Sequence, residues 1–234
     1  MNKKIKIAII IVILLVAVYA AYYFMDYYHA EKTATDYLNG TSNVSVLKID
    51  NGLFLDGPGS DDALIFYPGA KVEYTSYLPM LVDLAGQGVD CYLVEMPLNI
   101  AFLGQNSADS IIDSSNYTQY FMSGHSLGGL VASSYVNQTG KGDGLILFAA
   151  YPTKEINKPV LSIYGSQDKV LDIGDYDGSK QLMSNLSEVV IDGANHEQFA
   201  YYGVQEGDGL ASISPENQQK QSVNAILEFI NSLN

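Results

Sequence analysis

The sequence predicts an α/β fold, a mostly parallel sheet covered by helices on both faces, and three observations carry that expectation. Short apolar runs recur after residue 44, at 63–67, 91–96, 119–123, 144–150, 159–164 and 188–191. They are apolar continuously rather than in alternation, which implies burial on both faces and hence a parallel sheet in a three-layer sandwich. Helical candidates lie between most of them, as strand-helix-strand units require.

The first element stands apart from that sheet. Ile5–Met25 is overwhelmingly apolar, with Lys6 as its single charge, and about 20 such residues cross a bilayer as a helix. Lys3, Lys4 and Lys6 lie at its start and Tyr22, Tyr23, Phe24, Tyr27 and Tyr28 at its end. Positive charge inside and an aromatic belt outside predict a signal anchor over 5–25, with residues 1–4 cytoplasmic and the rest of the chain extracytoplasmic. A cleaved signal peptide, cut after Val18-Tyr19-Ala20 and leaving a secreted protein, is the alternative. No cysteine lies near Ala20, which excludes a lipid-modified N-terminus. Residues 26–43 read as a juxtamembrane linker and 44–234 as one domain.

Runs at 44–49 and 53–56, bounded by Asp, Asn and Gly, predict an antiparallel opening pair. ALIFY at 63–67 follows, and then Tyr74, Tyr77, Leu78, Leu81 and Ala85 recur at helical spacing before Gly86 and Gly88 end the segment. The run CYLVEM at 91–96 contains the single cysteine, Cys91, which reads as a buried strand thiol. At the C-terminus Ser214 is a good N-cap, Pro215 suits the first helical position, and Val223, Ile226, Leu227 and Ile230 form one apolar stripe.

Composition narrows the function. All 12 basic residues of the 234 are lysines and the formal net charge is −14. Without arginine the chain lacks bidentate phosphate clamps, and nucleic acid is excluded as a partner. No metal-ligand cluster and no dinucleotide fingerprint occurs, so neither a metal nor a cofactor is expected.

The chemistry concentrates at FMSGHSLGG, residues 121–129. A G-x-S-x-G between a strand and a helix holding Leu127, Leu130 and Val131 fits a nucleophile elbow, in which a sharp turn presents Ser126 at the carboxyl edge of the sheet. The glycines leave room for that turn, and the helix start offers N–H donors and partial positive charge.

A serine nucleophile needs a base, and the chain has three histidines. His29 abuts the apolar segment, and His125 should point away from Ser126 into elbow packing. His196, in IDGANHEQF after the strand EVVI, remains. A carboxylate must orient it: Asp168, in the loop after PVLSIY, is the candidate. Asp172, Asp175, Asp177 and Glu95 are rivals. The order Ser126, Asp168, His196 is that of α/β-hydrolases rather than of chymotrypsin-like or subtilisin-like proteases. For the oxyanion, Leu127 and Ala70 supply the expected N–H donors, with Lys71 second to Ala70.

FYPGAKVEYTSYLPM, VEMPLNIAFLG, GHSLGG, PVLSIYGSQDKV and GANHEQFAYYGVQEGDGLASIS together resemble the α/β-hydrolase superfamily, and more narrowly a small dienelactone-hydrolase-like bacterial group. The resemblance spans roughly residues 63–214 and implies Ser126 as nucleophile, His196 as base, Asp168 as acid, and Ala70 with Leu127 as oxyanion donors. Dienelactone hydrolases proper use a cysteine nucleophile, so their lactone specificity is not carried over to this serine.

Only about eight residues separate GLILFAA from PVLSIYG, too few for a cap domain, and an open site is expected. Lys71, His125, Asn99, Phe102 and Tyr202 are the candidate substrate-binding residues. Asn99 and Phe102 are placed on the acyl side, and Tyr202 in a long loop walling the site. The expected activity is hydrolysis of a small-molecule or surface-displayed carboxylic ester, with two alternatives: an acyltransferase using the same triad, and a non-catalytic binding protein on the same scaffold.

Overall fold

A computed structural model describes residues 2–59 and 61–233. The strands are β1 Ser45–Ile49, β2 Gly52–Asp56, β3 Asp62–Tyr67, β4 Val89–Val94, β5 Gln119–His125, β6 Gly144–Phe148, β7 Ile156–Gly165 and β8 Met183–Ile191. The helices are α1 Lys3–Met25, α2 Lys32–Thr35, α3 Leu78–Gly86, α4 Ser107–Ser114, α5 Leu127–Thr139, α6 Ile173–Ser179 and α7 Pro215–Asn231. All eight strands form one sheet in the order β1-β2-β4-β3-β5-β6-β7-β8. β2 runs antiparallel to both neighbours and every other pair is parallel.

Each central strand feeds two cores by strict alternation. Leu64 and Phe66 of β3, Phe121 of β5, and Ile146 and Phe148 of β6 pack with Leu81 of α3 and Ile226 of α7. Ile65 and Tyr67, Met122, and Leu145 and Leu147 face Ile111 of α4 and Val131 and Tyr135 of α5. A strand that must be apolar on both sides reads as an unbroken apolar run, which is why these were visible in the sequence. The β8 strand lies at the sheet edge and exposes many of its side chains. Only its last residues, EVVI, carried an apolar signal, so its first five were missed.

α1 is uncovered by the rest of the chain and, with a mean hydropathy of 2.7 over its apolar stretch, is long and apolar enough to cross a membrane. Length and composition would suit a signal sequence equally.

The residues after it pack on the sheet domain. Tyr28 forms a parallel bridge with Val72, donating its N–H to Lys71 O at 2.7 Å and accepting from Glu73 N at 2.9 Å. Glu31 N donates to Tyr201 O at 2.9 Å, and Ala34 is fully buried. This stretch has no apolar run long enough to mark it as an element, so the sequence offered only the reading of a linker.

Candidate active site

The turn from β5 into α5 places Ser126 at φ 52°, ψ −122°, a left-handed conformation that costs a non-glycine residue roughly 1–3 kcal/mol. Packing on both sides holds it there. A methyl group at Gly128 would run into the carbonyl oxygens of Tyr67 and Pro68, and one at Gly124 into the backbone of Gly128 and Gly129. Backbone therefore approaches backbone where β3, β5 and α5 meet, and Ser126 N donates to Phe148 O of β6 at 2.9 Å. Leu127 opens α5, so its N–H has no carbonyl one turn earlier to bind.

The loop after β7 carries Asp168 and the loop after β8 carries His196. His196 Nδ1 lies 2.9 Å from Asp168 Oδ2, and both side chains are almost wholly buried. Asp168 Oδ1 accepts from Val170 N and Leu171 N, each at 2.8 Å. With its other oxygen held by the backbone, the carboxylate offers Oδ2 to Nδ1, a contact that fixes the imidazole and leaves Nε2 outside it.

The rival carboxylates have other partners. Asp172 caps α6 by accepting from Asp175 N at 3.0 Å, Asp175 accepts from Tyr151 Oη at 3.2 Å, and Asp177 pairs with Lys180 at 3.0 Å. Glu95 lies exposed beyond the end of β4, on the loop that leads to Asn99. His29, with a largely exposed ring, sits 3.5 Å from Glu73.

Ser126 and His196 line one cleft of about 250 Å³, walled by Leu127, Leu130, Ala149, Ala150, Val170 and Leu171, with Tyr151 and Asp172 as its polar side chains. The connection from β6 to β7 is residues 149–155 alone, too short to form a cap over the cleft. The sequence did not single out Ala149, Ala150, Val170 and Leu171 among these walls, because apolar loop residues acquire a common face only once the strands set their positions.

Ala70 stands exposed on the loop after β3. Its neighbour Gly69 donates its N–H to Tyr77 Oη at 3.1 Å, and the same hydroxyl lies 2.8 Å from His125 Nδ1. Gly69 also sits beside the His125 carbonyl, the residue before Ser126, so the Ala70 loop is tied to the elbow itself.

None of the five expected substrate contacts is among the residues that line this cleft. His125 is buried, its ring 4.4 Å from that of His196, and burial followed by that neighbour holds its imidazole well below the ordinary histidine pKa. Tyr202 belongs to the core and packs its ring at a tilt against that of Tyr28, 5.3 Å away. Phe102 lines a separate surface hollow with Asn51 and Leu103. Asn99 accepts Lys71 N at 2.8 Å through its carbonyl, and Lys71 Nζ pairs with Asp26 at 3.0 Å. All five lie near the sheet edge, His125 at the end of β5 and the others beyond strand ends, where side chains turn into the core or outward as readily as toward the serine. Cys91 is buried in β4, where burial raises its thiol pKa well above normal, as suits a packing residue.

Asp208 makes a link between the two loops that the sequence did not reveal. Its Oδ1 accepts from Lys169 N at 3.2 Å and its Oδ2 from Glu197 N at 2.9 Å, so one carboxylate joins the residue after Asp168 to the residue after His196. Gln218 of α7 exchanges two bonds with the backbone of Asn195, at 3.1 and 2.8 Å, and anchors the histidine loop from the other side.

No curated protein sequence matches the chain. Solved structures resemble it at low identity. Est1E from Butyrivibrio proteoclasticus is 15% identical with a TM-score of 0.58, covering 81% of this chain and 100% of its own. The alpha/beta hydrolase domain-containing protein 10 from mouse is 11% identical with a TM-score of 0.59, covering 82% and 100%. A bacterial membrane phospholipase A described as a virulence factor is 14% identical with a TM-score of 0.60, covering 97% and 99%. These likenesses concern the fold. The model of the alpha/beta hydrolase family matches residues 63–220, more than half of the sequence and the stretch that builds β3 to β8 and the serine, aspartate and histidine loops. The protein belongs to the alpha/beta hydrolase family and is an enzyme of hydrolase type.

Proposed function

We propose that the protein is a serine hydrolase that cleaves carboxylic esters through Ser126, His196 and Asp168. The observation that carries this reading is the 2.9 Å contact of His196 Nδ1 with Asp168 Oδ2, in a histidine that shares its cleft with Ser126. His196 Nε2 takes the Ser126 proton as Oγ attacks the ester carbonyl. The N–H groups of Leu127 and Ala70 receive the developing oxyanion. The tetrahedral adduct expels the alcohol, which takes the proton from His196. Water activated by the same Nε2 then releases the acid and restores Ser126. The open cleft and its aliphatic walls suit a modest acyl group.

In the same reading α1 holds the enzyme in a membrane, its lysines inside and the hydrolase domain outside. The similarity to the membrane phospholipase A supports this: it leaves about 3% of this chain unaligned, so it must run into α1. The test is hydrolysis of short-chain nitrophenyl esters by the full chain in detergent, beside Ser126→Ala, together with extraction of the native protein by alkaline carbonate. Turnover that vanishes in the variant, from a protein that stays with the membrane, is expected. Equal turnover by both proteins overturns the catalytic assignment, and release by carbonate overturns the anchor.

A further inference from the structure

The exposed apolar side chains of the domain are unevenly placed. Outside α1 the described residues include ten large hydrophobic side chains that stand exposed. Leu38, Leu47 and Val190 are scattered, whereas the other seven occupy three loops that leave the carboxyl ends of parallel strands.

Leu98, Phe102 and Leu103 follow β4. Val170 follows β7 on the loop of Asp168, and Ile173 opens α6 at the end of that loop. Val204 and Leu210 follow β8, on the loop of His196, with 82% and 91% of their surfaces open to solvent. In the sheet order β4 lies on one side of β5 and Ser126, with β7 and β8 on the other, and Val170 lines the cleft itself. Exposed apolar side chains gathered at one edge of a sheet suit a site of association.

The exit of α1 lies at the same edge. Met25 ends the helix, Asp26 pairs with Lys71, and Tyr28 is bridged to Val72 in the loop after β3. Lys71 N in turn binds Asn99 O, so the first of the apolar loops is one hydrogen bond from the residue that receives the anchor. An anchored helix thus delivers the cleft, rather than the opposite end of the sheet, to the bilayer surface.

Resting on the serine-hydrolase reading, we propose that this rim seats the cleft on the bilayer and that the substrate is an acyl ester of a lipid resident in that membrane. Water adds across the ester bond, releasing a fatty acid and leaving the deacylated lipid. Charge selects the lipid. Residues 1–29 hold three of the lysines and Asp26, leaving 9 lysines against 25 acidic residues in the remainder. Repulsion from anionic headgroups disfavours their surfaces, so the substrate is a zwitterionic or uncharged lipid.

The chain contains no tryptophan, which allows a single reporter. The full chain would be reconstituted in phosphatidylcholine vesicles as Val204→Trp, Leu210→Trp and, as a control in the edge strand β1, Leu47→Trp. Blue-shifted emission quenched by bromine-labelled acyl chains is expected for the first two and not for the control. Water-like, unquenched emission at both loop positions in vesicle-bound protein overturns the proposal. In a second arm, the double variant V204S/L210S should release fatty acid from the vesicles at least tenfold more slowly than the parent, with hydrolysis of a soluble short-chain ester kept within twofold. Equal effects on both substrates, or no effect on vesicles, also overturn it. A parent that cleaves no soluble ester instead removes the serine-hydrolase reading, while the fluorescence still decides whether the rim is seated.

Discussion

His196 Nδ1 stands 2.9 Å from Asp168 Oδ2 while the other oxygen of that carboxylate is held by Val170 N and Leu171 N. The two oxygens therefore have separable tasks, one fixing the loop and one fixing the imidazole. Asp168→Asn keeps an acceptor for the loop N–H groups but turns an NH2 toward Nδ1, which stabilises the wrong tautomer. Ester turnover should fall by about 10⁴-fold, with the melting temperature close to that of the parent. A fall of less than about tenfold would mean that Asp168 does not orient the base.

The strain at Ser126 is sustained by close backbone contact at Gly128. Gly128→Ala should destabilise the domain by about 3 kcal/mol, read from urea unfolding, because the colliding atoms are main-chain carbonyls that cannot swing aside. Gly178→Ala in α6, where an added methyl meets nothing within 4 Å, should instead be neutral or stabilising by about 0.5 kcal/mol. Similar costs at both positions would contradict the packing account of the elbow.

Asp208 joins the two loops that carry Asp168 and His196 without touching either side chain. As a positioning residue it should affect turnover more than binding. Asp208→Ala should lower kcat by about 10- to 100-fold with KM little changed, and Asp208→Asn, which keeps one acceptor, should recover part of the loss. A change confined to stability, with kcat intact in the folded fraction, would restrict Asp208 to a structural part.

Residues 26–43 bond to the loop after β3 and to Tyr201, five residues past His196. A chain starting at residue 44 should therefore be less stable than one starting at residue 26. Three backbone hydrogen bonds at about 1 kcal/mol each imply roughly 3 kcal/mol, or a melting temperature lower by about 6–12 °C in a domain of this size. Identical melting curves would return this stretch to the status of a passive linker.

Elements that are buried on both faces announced themselves, because β3, β5 and β6 carry adjacent apolar residues that serve opposite cores. The elbow was equally visible, since its glycines answer to backbone contacts that no other residue tolerates. What escaped is what depends on three-dimensional company. The edge strand β8 needs no continuous apolar run, and the segment around Tyr28 is ordered by its bridge to Val72 rather than by its own pattern. Asp208 looks like any acidic loop residue until two distant amides converge on it. The same limit applies to the expected substrate contacts, whose side-chain directions a sequence does not give: His125 and Tyr202 are buried, and Phe102 lines a different hollow.

The central claim is that His196 activates Ser126. Its most direct test is mass-spectrometric mapping of a fluorophosphonate probe on the full chain, beside a His196→Ala variant shown to be folded. The account predicts an adduct on Ser126 that forms with the parent and is slowed at least a hundredfold in the variant. No adduct on the folded parent, or labelling of Ser126 at the same rate without His196, would contradict it.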